Sequence, residues 1–249
     1  MRNLIPAILF FIGTAEFAVA QKDPLNHEMI FVEGGTFQMG SNSWLYSPAG
    51  NSDESPVHSV SLSSYNIGKY EVTQAQWKAL MGSNPSYFKD CDQCPVEQVS
   101  WNDLQDFIRK LNALTGKNYR LPTEEEWEYA AKGGKCSKGY TFSGSNDLNS
   151  VAWNTDNSGS KTHAVGGKLA NELGIYDMSG NVWEWCSDWS GTYNSYSETN
   201  PTGASSGHEP VLRGGSWCTN ASCLTAIRFM NFTDIRLKHH GFRLVLPVE

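Results

Sequence analysis

Between Ser100 and Gly116 the apolar residues Leu104, Phe107, Ile108 and Leu111 share one helical face, which predicts an amphipathic helix capped by Ser100 and stopped by Gly116. Thr73 followed by Gln76 has the spacing of a capping box and predicts a helix over Gln74 to Met81, with Gly82 as its stop. Thr123 with Glu126 predicts a third, short helix ending at Gly133-Gly134. Its first turn holds Glu124, Glu125 and Glu126, where carboxylates complement the helix dipole, so the acidic run is read as helix chemistry and not as catalysis. Met29 to Met39 reads as two short strands around Gly34-Gly35, and His58 to Leu62 alternates as a half-buried strand does. Tyr65 to Val72 continues as strand into the first helix, and residues 41–57 are rich in Ser, Asn, Gly and Pro, hence a loop. From residue 134 onward little regular structure is expected until Gly241 to Leu246 closes the chain as a strand. The pattern is that of one domain from about residue 24 to the end, with short helices and strands and little regular structure in its second half. Disulfides, bound cations and buried aromatics are the usual means of fixing so long an irregular region.

Composition narrows the class. The 249 residues are 39% hydrophobic, enough for one substantial core, and include 23 glycines, 9 tryptophans and 10 tyrosines, which suits a loop-rich fold with aromatic-lined clefts. A formal charge of −7 argues against nucleic acid or an anionic membrane as partner. Arg2, the apolar run Leu4 to Ala15 and the Ala18-Val19-Ala20 cleavage pattern read as a secretory signal over residues 1–20, too short for a membrane span. The expected location is secreted or periplasmic, and the expected state a monomer. All six cysteines, Cys91, Cys94, Cys136, Cys186, Cys218 and Cys223, follow that segment, so disulfides are expected. Cys91-Asp-Gln-Cys94 sits in a polar turn before Pro95 and reads as a local staple.

Two stretches carry candidate chemistry. Arg213-Gly-Gly-Ser-Trp-Cys-Thr-Asn-Ala-Ser-Cys223 places two thiols shortly after a Gly-Gly turn. Such a pair can hold one soft ion such as copper(I), act as a redox pair, or bridge elsewhere, for example Cys223 to Cys186. Gly174 to Trp185 brings Asp177, Asn181 and Glu184 around Gly180, a donor set that suits a hard cation such as calcium or a hydrogen-bonded turn without metal. Trp183 and Trp185 are expected in the core, with one of them available to a cleft. No histidine spacing matches a metalloprotease, and Gly215-Ser216-Trp217 lacks the second glycine of a hydrolase elbow. His239-His240 beside Lys238 reads as a surface turn.

These segments resemble the formylglycine-generating enzyme family, also called the sulfatase-modifying factor domain. The resemblance rests on Phe31-Val-Glu-Gly-Gly-Thr-Phe-Gln-Met-Gly40, Glu71-Val-Thr-Gln-Ala-Gln-Trp77, Pro95-Val-Glu-Gln-Val-Ser-Trp101 and Tyr119 to Ala131. It continues through Gly174 to Trp185, Arg213-Gly-Gly-Ser-Trp217 and Gly241-Phe-Arg243, in the family's order. It implies a C-type-lectin-like α+β domain, often stabilised by calcium. In the active enzymes two cysteines bind copper(I) and use dioxygen to convert a cysteine of a sulfatase polypeptide to formylglycine. Carried over, Cys218 and Cys223 are the copper ligands, Ser216 shapes the oxygen site and Trp183 lines the substrate cleft. Asp177 and Glu184, with the carbonyls of Gly180 and Val182, match the family's calcium loop. The sequence departs from that pattern in placing Cys218 two residues after Ser216, where the active enzymes place a cysteine three after, and in having Ser222 where an aromatic residue is usual.

Two functions follow. One is a copper-dependent oxidase of formylglycine-generating type. The other is a non-catalytic lectin-like module that holds another exported protein or a glycan with the Tyr- and Trp-rich surface of residues 189–220, including Trp189-Ser-Gly-Thr-Tyr-Asn-Ser-Tyr196. A histidine-dependent iron oxidase on the same domain is disfavoured, since no histidine cluster is present.

Overall fold

The computed structural model describes residues 25–42 and 53–248. Residues 1–20, read from sequence as a secretory signal, lie outside the described residues. No helix among them is long and apolar enough to cross a membrane.

The three predicted helices form where their caps place them. α1 (Gln74–Met81), α2 (Trp101–Thr115) and α3 (Glu124–Ala131) each open with a complete capping box, from Thr73, Ser100 and Thr123. Gly82 and Gly116 close α1 and α2 in the left-handed conformation. A single further turn, α4, spans Leu148–Val151. The apolar face of α2 buries Leu104, Phe107, Ile108 and Leu111, and Trp77 of α1 stacks on Phe107 with ring centres 5.1 Å apart.

Among the described residues, ten short strands make three sheets. β1 (Met29–Val32), β4 (Tyr65–Gly68) and β10 (Val245–Pro247) form one, in the order β1-β4-β10. β2 (Gly35–Met39), β3 (His58–Leu62) and β6 (Glu198–Thr199) form the second, in the order β2-β3-β6. The two strands expected around Gly34-Gly35 exist but do not pair with each other. β1 pairs antiparallel with β4 and β2 with β3, so the glycine turn hands the chain from one sheet to the next.

The third sheet was not legible. β5 (Trp183–Trp189), β7 (Pro210–Arg213), β8 (Arg228–Met230) and β9 (His240–Gly241) pair in the order β8-β7-β5-β9, in a region where little regular structure was expected. β5 is buried on both faces over Trp183 to Cys186, so its sequence shows no polar–apolar alternation. The closing strand is also divided, into β9 and β10, with Phe242 and Arg243 buried between them.

Two apolar clusters fill the interior. One joins α1 and α2 to Trp183, Trp185, Leu212 and Phe242, and the other sets Trp127 and Tyr129 of α3 against Val32, Val60, Ile67 and Met178. Both Trp183 and Trp185 are core residues, as expected. His240 corrects the sequence reading: it is fully buried and its ring meets Trp185 edge-on at 5.2 Å, so His239-His240 is not a surface turn.

Candidate functional site

β7 delivers Arg213 to the Gly214-Gly215 turn, whose residues have φ of 96° and 73°. Gly215 has no room for a side chain: a Cβ there would sit 2.8 Å from Cys223 Sγ and from the Ser222 carbonyl oxygen. The turn is tied to the Gly174–Trp185 stretch by two backbone bonds, Gly180 N–H to Gly214 O at 2.8 Å and Trp217 N–H to Asn181 O at 2.8 Å. The two stretches singled out by sequence are therefore one structural unit.

Within that unit the two thiols have opposite environments. Cys218 is exposed, with Sγ 3.3 Å from Ser216 Oγ. Cys223 is fully buried; its Sγ lies 3.7 Å from the Thr219 carbonyl oxygen and 3.6 Å from Thr219 Oγ1. Burial pushes the Cys223 thiol up to about 12, so at neutral pH it carries its proton. Cys186 is also a free, buried thiol, and the suggested Cys223–Cys186 bridge is absent. Cys91 and Cys94 form the local staple, the one disulfide among the described residues.

Copper(I) needs both sulfurs as thiolates on a common ion. The exposed Cys218 fits a soft-metal ligand; Cys223 lies deeper, under Gly215, within electrostatic reach of Cys218, and a soft ion that reached it would displace its proton. Ser216 Oγ stands beside the Cys218 sulfur. Trp183 packs against Phe229 of β8 at 5.6 Å and is only 5% exposed. The ring that does flank the cysteine turn is Trp217, edge-on to Phe88 at 5.5 Å, with Phe88 in turn against the exposed Tyr87 at 5.0 Å. Lys238 Nζ lies over both the Tyr87 and Trp217 rings, at 5.2 and 5.3 Å.

The calcium-type loop gathers charge in the interior. Asp177, at φ 60°, accepts from the Gly166 N–H at 2.7 Å. Glu184 accepts from Arg243 Nε and Nη2, both at 2.6 Å, and from Trp127 Nε1 at 2.7 Å. Sequence reasoning gave no role to Glu71, whose carboxylate accepts from Asn181 Nδ2 at 2.7 Å and Val182 N–H at 3.2 Å. Three buried carboxylates thus surround one guanidinium. Burial raises Asp177 to about 6; it also raises Glu71 well above the carboxylate range, helped by the charges of Asp177 and Glu184. Glu184 is matched by Arg243, and among the described residues no three His, Cys, Asp or Glu side chains converge as a metal site requires, so a hard cation here would rest on Asp177 and backbone carbonyls.

The acidic run of α3 is likewise more than a helix-dipole device, because Glu124, Glu125 and Glu126 are all buried. Glu124 pairs with Arg228 at 2.9 Å, and Glu126 closes the capping box while holding Arg120 at 2.6 Å. Glu128, on the next turn, pairs with Arg213 of the glycine turn and with Lys132. In the 189–196 loop, only part of the expected recognition surface is free. Trp189 packs on Trp101 at 5.2 Å and the Tyr193 hydroxyl donates to Glu124 at 2.8 Å, whereas Tyr196 is 63% exposed.

This arrangement has relatives. The chain is 34% identical to the chaperone protein LppX of Paenibacillus barcinonensis, over 84% of this chain and 85% of that protein. It is 32% identical to the serine/threonine-protein kinase Pkn1 of Chlamydia trachomatis, over 91% of this chain but 39% of the kinase. It is 39% identical to the formylglycine-generating enzyme of Streptomyces coelicolor over an alignment of 168 residues, covering 60% of this chain and 51% of that enzyme. Among solved structures, Treponema denticola variable protein 1 superposes with a TM-score of 0.80 at 33% identity, covering 88% of this chain and 95% of that one. The model of the sulfatase-modifying factor enzyme 1-like domain matches residues 15–248, and the chain belongs to that family.

Proposed function

We propose that this chain is a non-catalytic, protein-binding member of the sulfatase-modifying factor family, exported, and engaging its partner through the aromatic face of Tyr87, Phe88 and Trp217 with Lys238 above it. The observation that carries the reading is the unlike placement of the two thiols, Cys218 exposed and Cys223 fully buried beneath Gly215. A pair so arranged offers an incoming ion one open sulfur and one enclosed sulfur. The relatives support the same direction. One that matches this chain along most of its length is named a chaperone, and another carries the domain as a minor part of a kinase. An exposed tyrosine beside a tryptophan and a lysine supplies the large, rigid contact area that protein recognition uses.

The deciding experiment has two arms. The first incubates the full chain with copper(I), dioxygen and a peptide bearing a sulfatase-type cysteine, and follows formylglycine by mass spectrometry. The second measures suppression of aggregation of a heat-unfolded client protein by light scattering. The expected outcome is no aldehyde, with client binding that survives Cys218→Ser and falls on Trp217→Ala and Tyr87→Ala. Aldehyde formation abolished by Cys218→Ser overturns the reading. One observation favours that oxidase alternative, the 3.3 Å approach of Ser216 Oγ to Cys218 Sγ in the family's turn. On the alternative, a sulfatase polypeptide is the substrate and Cys218 and Cys223 hold the copper.

Calcium belongs to the proposal as a structural ion, held by Asp177, Glu184 and the carbonyls of Gly180 and Val182. It would neutralise the buried carboxylates and supply no chemistry. Addition of calcium is expected to raise the melting temperature of wild type and not of Asp177→Asn; an equal rise in both removes the site.

A further inference from the structure

The segment between α1 and the Cys91–Cys94 staple is fixed at its two ends and held between them by side chains. Residues 83–90 belong to no helix or strand, and no backbone-to-backbone hydrogen bond ties them to the other described residues. They follow Gly82, the left-handed cap of α1, and end at Asp90, whose φ of 65° is also left-handed. Beyond Asp90 the staple is docked on α1, where Gln74 N–H meets the Cys94 carbonyl at 2.9 Å and Ala75 N–H the Asp92 carbonyl at 3.0 Å. Ser83, Pro85, Lys89 and Asp90 are exposed, and a Cβ on Gly82 meets nothing within 4 Å. Two left-handed residues in open surroundings, between two anchored elements, are places where backbone rotation can be absorbed.

Two buried residues hold this segment down. Glu97, 0% exposed, accepts from Tyr87 N–H at 3.0 Å with Oε2 and from Phe88 N–H at 2.8 Å with Oε1. Its own N–H donates to Ser86 Oγ at 3.2 Å. Gln74 donates to the Phe88 carbonyl at 2.8 Å and accepts from Asn84 Nδ2 at 2.8 Å. The segment in turn carries two of the three rings of the aromatic face. Phe88 meets Trp217 edge-on, and Tyr87 lies against Phe88 and under Lys238. That face is therefore assembled only while the ties to Glu97 and Gln74 hold.

Of the two ties, Glu97 is the one that titrates. Burial raises it to about 7, against the Tyr87 and Phe88 N–H groups and the charge of Lys238, which favour its ionised form. Lys238 is the one charged group that bears on it among the described residues. Lys89 and Asp90 of the segment itself are exposed, and burial and then Lys238 hold His239 below its ordinary value. Lifting the segment returns Glu97 to water and to the ordinary value of 4.5, so opening releases a proton. The closed form is thus most favoured below pH 4.5. Opening becomes about tenfold easier with each pH unit up to 7 and levels off above it, about 300-fold in all.

We propose that residues 83–90 form a strap hinged at Gly82 and Asp90, whose closure assembles the Tyr87–Phe88–Trp217 face and whose latch is protonated Glu97, so that the face forms in mild acid and loosens toward neutral pH. The proposal rests on the reading of that face as the partner site and adds its regulation.

Hydrogen exchange of the full chain, read by NMR at the Tyr87 and Phe88 amides from about pH 5 to pH 8, tests the strap without any partner. After correction for intrinsic exchange, protection of both amides is expected to fall about tenfold per unit up to pH 7 and to flatten above it. At every pH it is expected to stay below that of the α2 amides, which open with the whole domain. Glu97→Gln, which has no proton to lose, is expected to give protection that does not vary with pH. Wild-type protection that is flat from pH 5 to 7, or equal to that of α2 throughout, overturns the proposal, and so does a slope that survives Glu97→Gln. Trp217-dependent client binding is expected to weaken between about pH 5.5 and pH 7.5, and equal binding at both overturns the regulation. Absence of client binding with the exchange pattern intact removes the partner reading instead and leaves the strap standing.

Discussion

Replacing Gly215 by alanine tests whether the cysteine turn is held by close packing or merely by its conformation. Gly215 has φ +73°, a left-handed value that costs an L-residue about 1–2 kcal/mol. The added methyl would also lie 2.8 Å from Cys223 Sγ, 2.8 Å from Ser222 O and 2.9 Å from Cys223 N. Two of those atoms are backbone, so no change of rotamer relieves the overlap, and overpacking adds about 1–3 kcal/mol. The expected destabilisation is about 2–5 kcal/mol, which for a domain of this size lowers the melting temperature by about 4–20 °C. Gly82 supplies the control: its φ is +83°, yet a Cβ there meets nothing within 4 Å. Gly82→Ala therefore isolates the conformational cost of about 1–2 kcal/mol. Both variants are measured by calorimetry, with alkylation of Cys223 in native buffer as a second readout, since relief of the overlap must move that cysteine outward. Equal melting temperatures for the two variants, with Cys223 still unreactive, would refute the packing argument.

Three other outcomes are expected. Arg243→Met should destabilise the chain by about 3–5 kcal/mol in denaturant titration, because Glu184, Glu71 and Asp177 lose the guanidinium they share; a loss under about 1 kcal/mol would mean these carboxyls are already protonated. Iodoacetamide at mildly alkaline pH should label Cys136 and Cys218 in the folded protein and reach Cys186 and Cys223 only after unfolding, so prompt labelling of Cys223 would contradict its burial. Burial raises Glu97 to about 7 from 4.5, against the pull of the Tyr87 and Phe88 N–H groups. Its contribution to stability is thus complete below pH 4.5 and lost as pH rises through 7, by up to about 3 kcal/mol. Glu97→Gln should flatten that part of the pH–stability curve, and an unchanged slope would assign it to other groups.

How much was legible in the sequence depended on how local the determinants are. α1, α2 and α3 were placed because each cap is a contact between residues three apart: Thr73 with Gln76, Ser100 with Asp103, Thr123 with Glu126. The Cys91–Cys94 staple was legible for the same reason. β5 was missed because burial of both faces erases alternation, and its partners, β7 and β9, lie more than twenty residues away in sequence or farther. At the candidate site, sequence identified the cysteine turn and the Asp177 loop but not that backbone bonds join them. It could not show that the two thiols differ in burial, because that rests on the approach of Gly215 to Cys223. Glu71 and Arg243 were visible as motif residues, and only the fold gives them a common place beside Glu184.

That last point bears on what the family motifs mean. Arg213 of the glycine turn is bound to Glu128 of α3, and Arg243 near the C-terminus to Glu184 of β5, each pair fully buried. Glu71, preceding α1, reaches Asn181 and Val182 across more than a hundred residues of sequence. In a chain of short strands and one-turn segments, such charged pairs do the positional work that long ladders do elsewhere, because breaking one leaves an unmatched charge in the interior. The motifs by which the chain is placed in its family are thus largely the internal ties of the fold. They persist whether or not the exposed turn retains oxidation chemistry. The cysteines are the exception, since their placement answers to the reaction and not to the scaffold. Here they depart from the active pattern in spacing, Cys218 standing two residues after Ser216, while the buried ties Arg213–Glu128 and Arg243–Glu184 are in place.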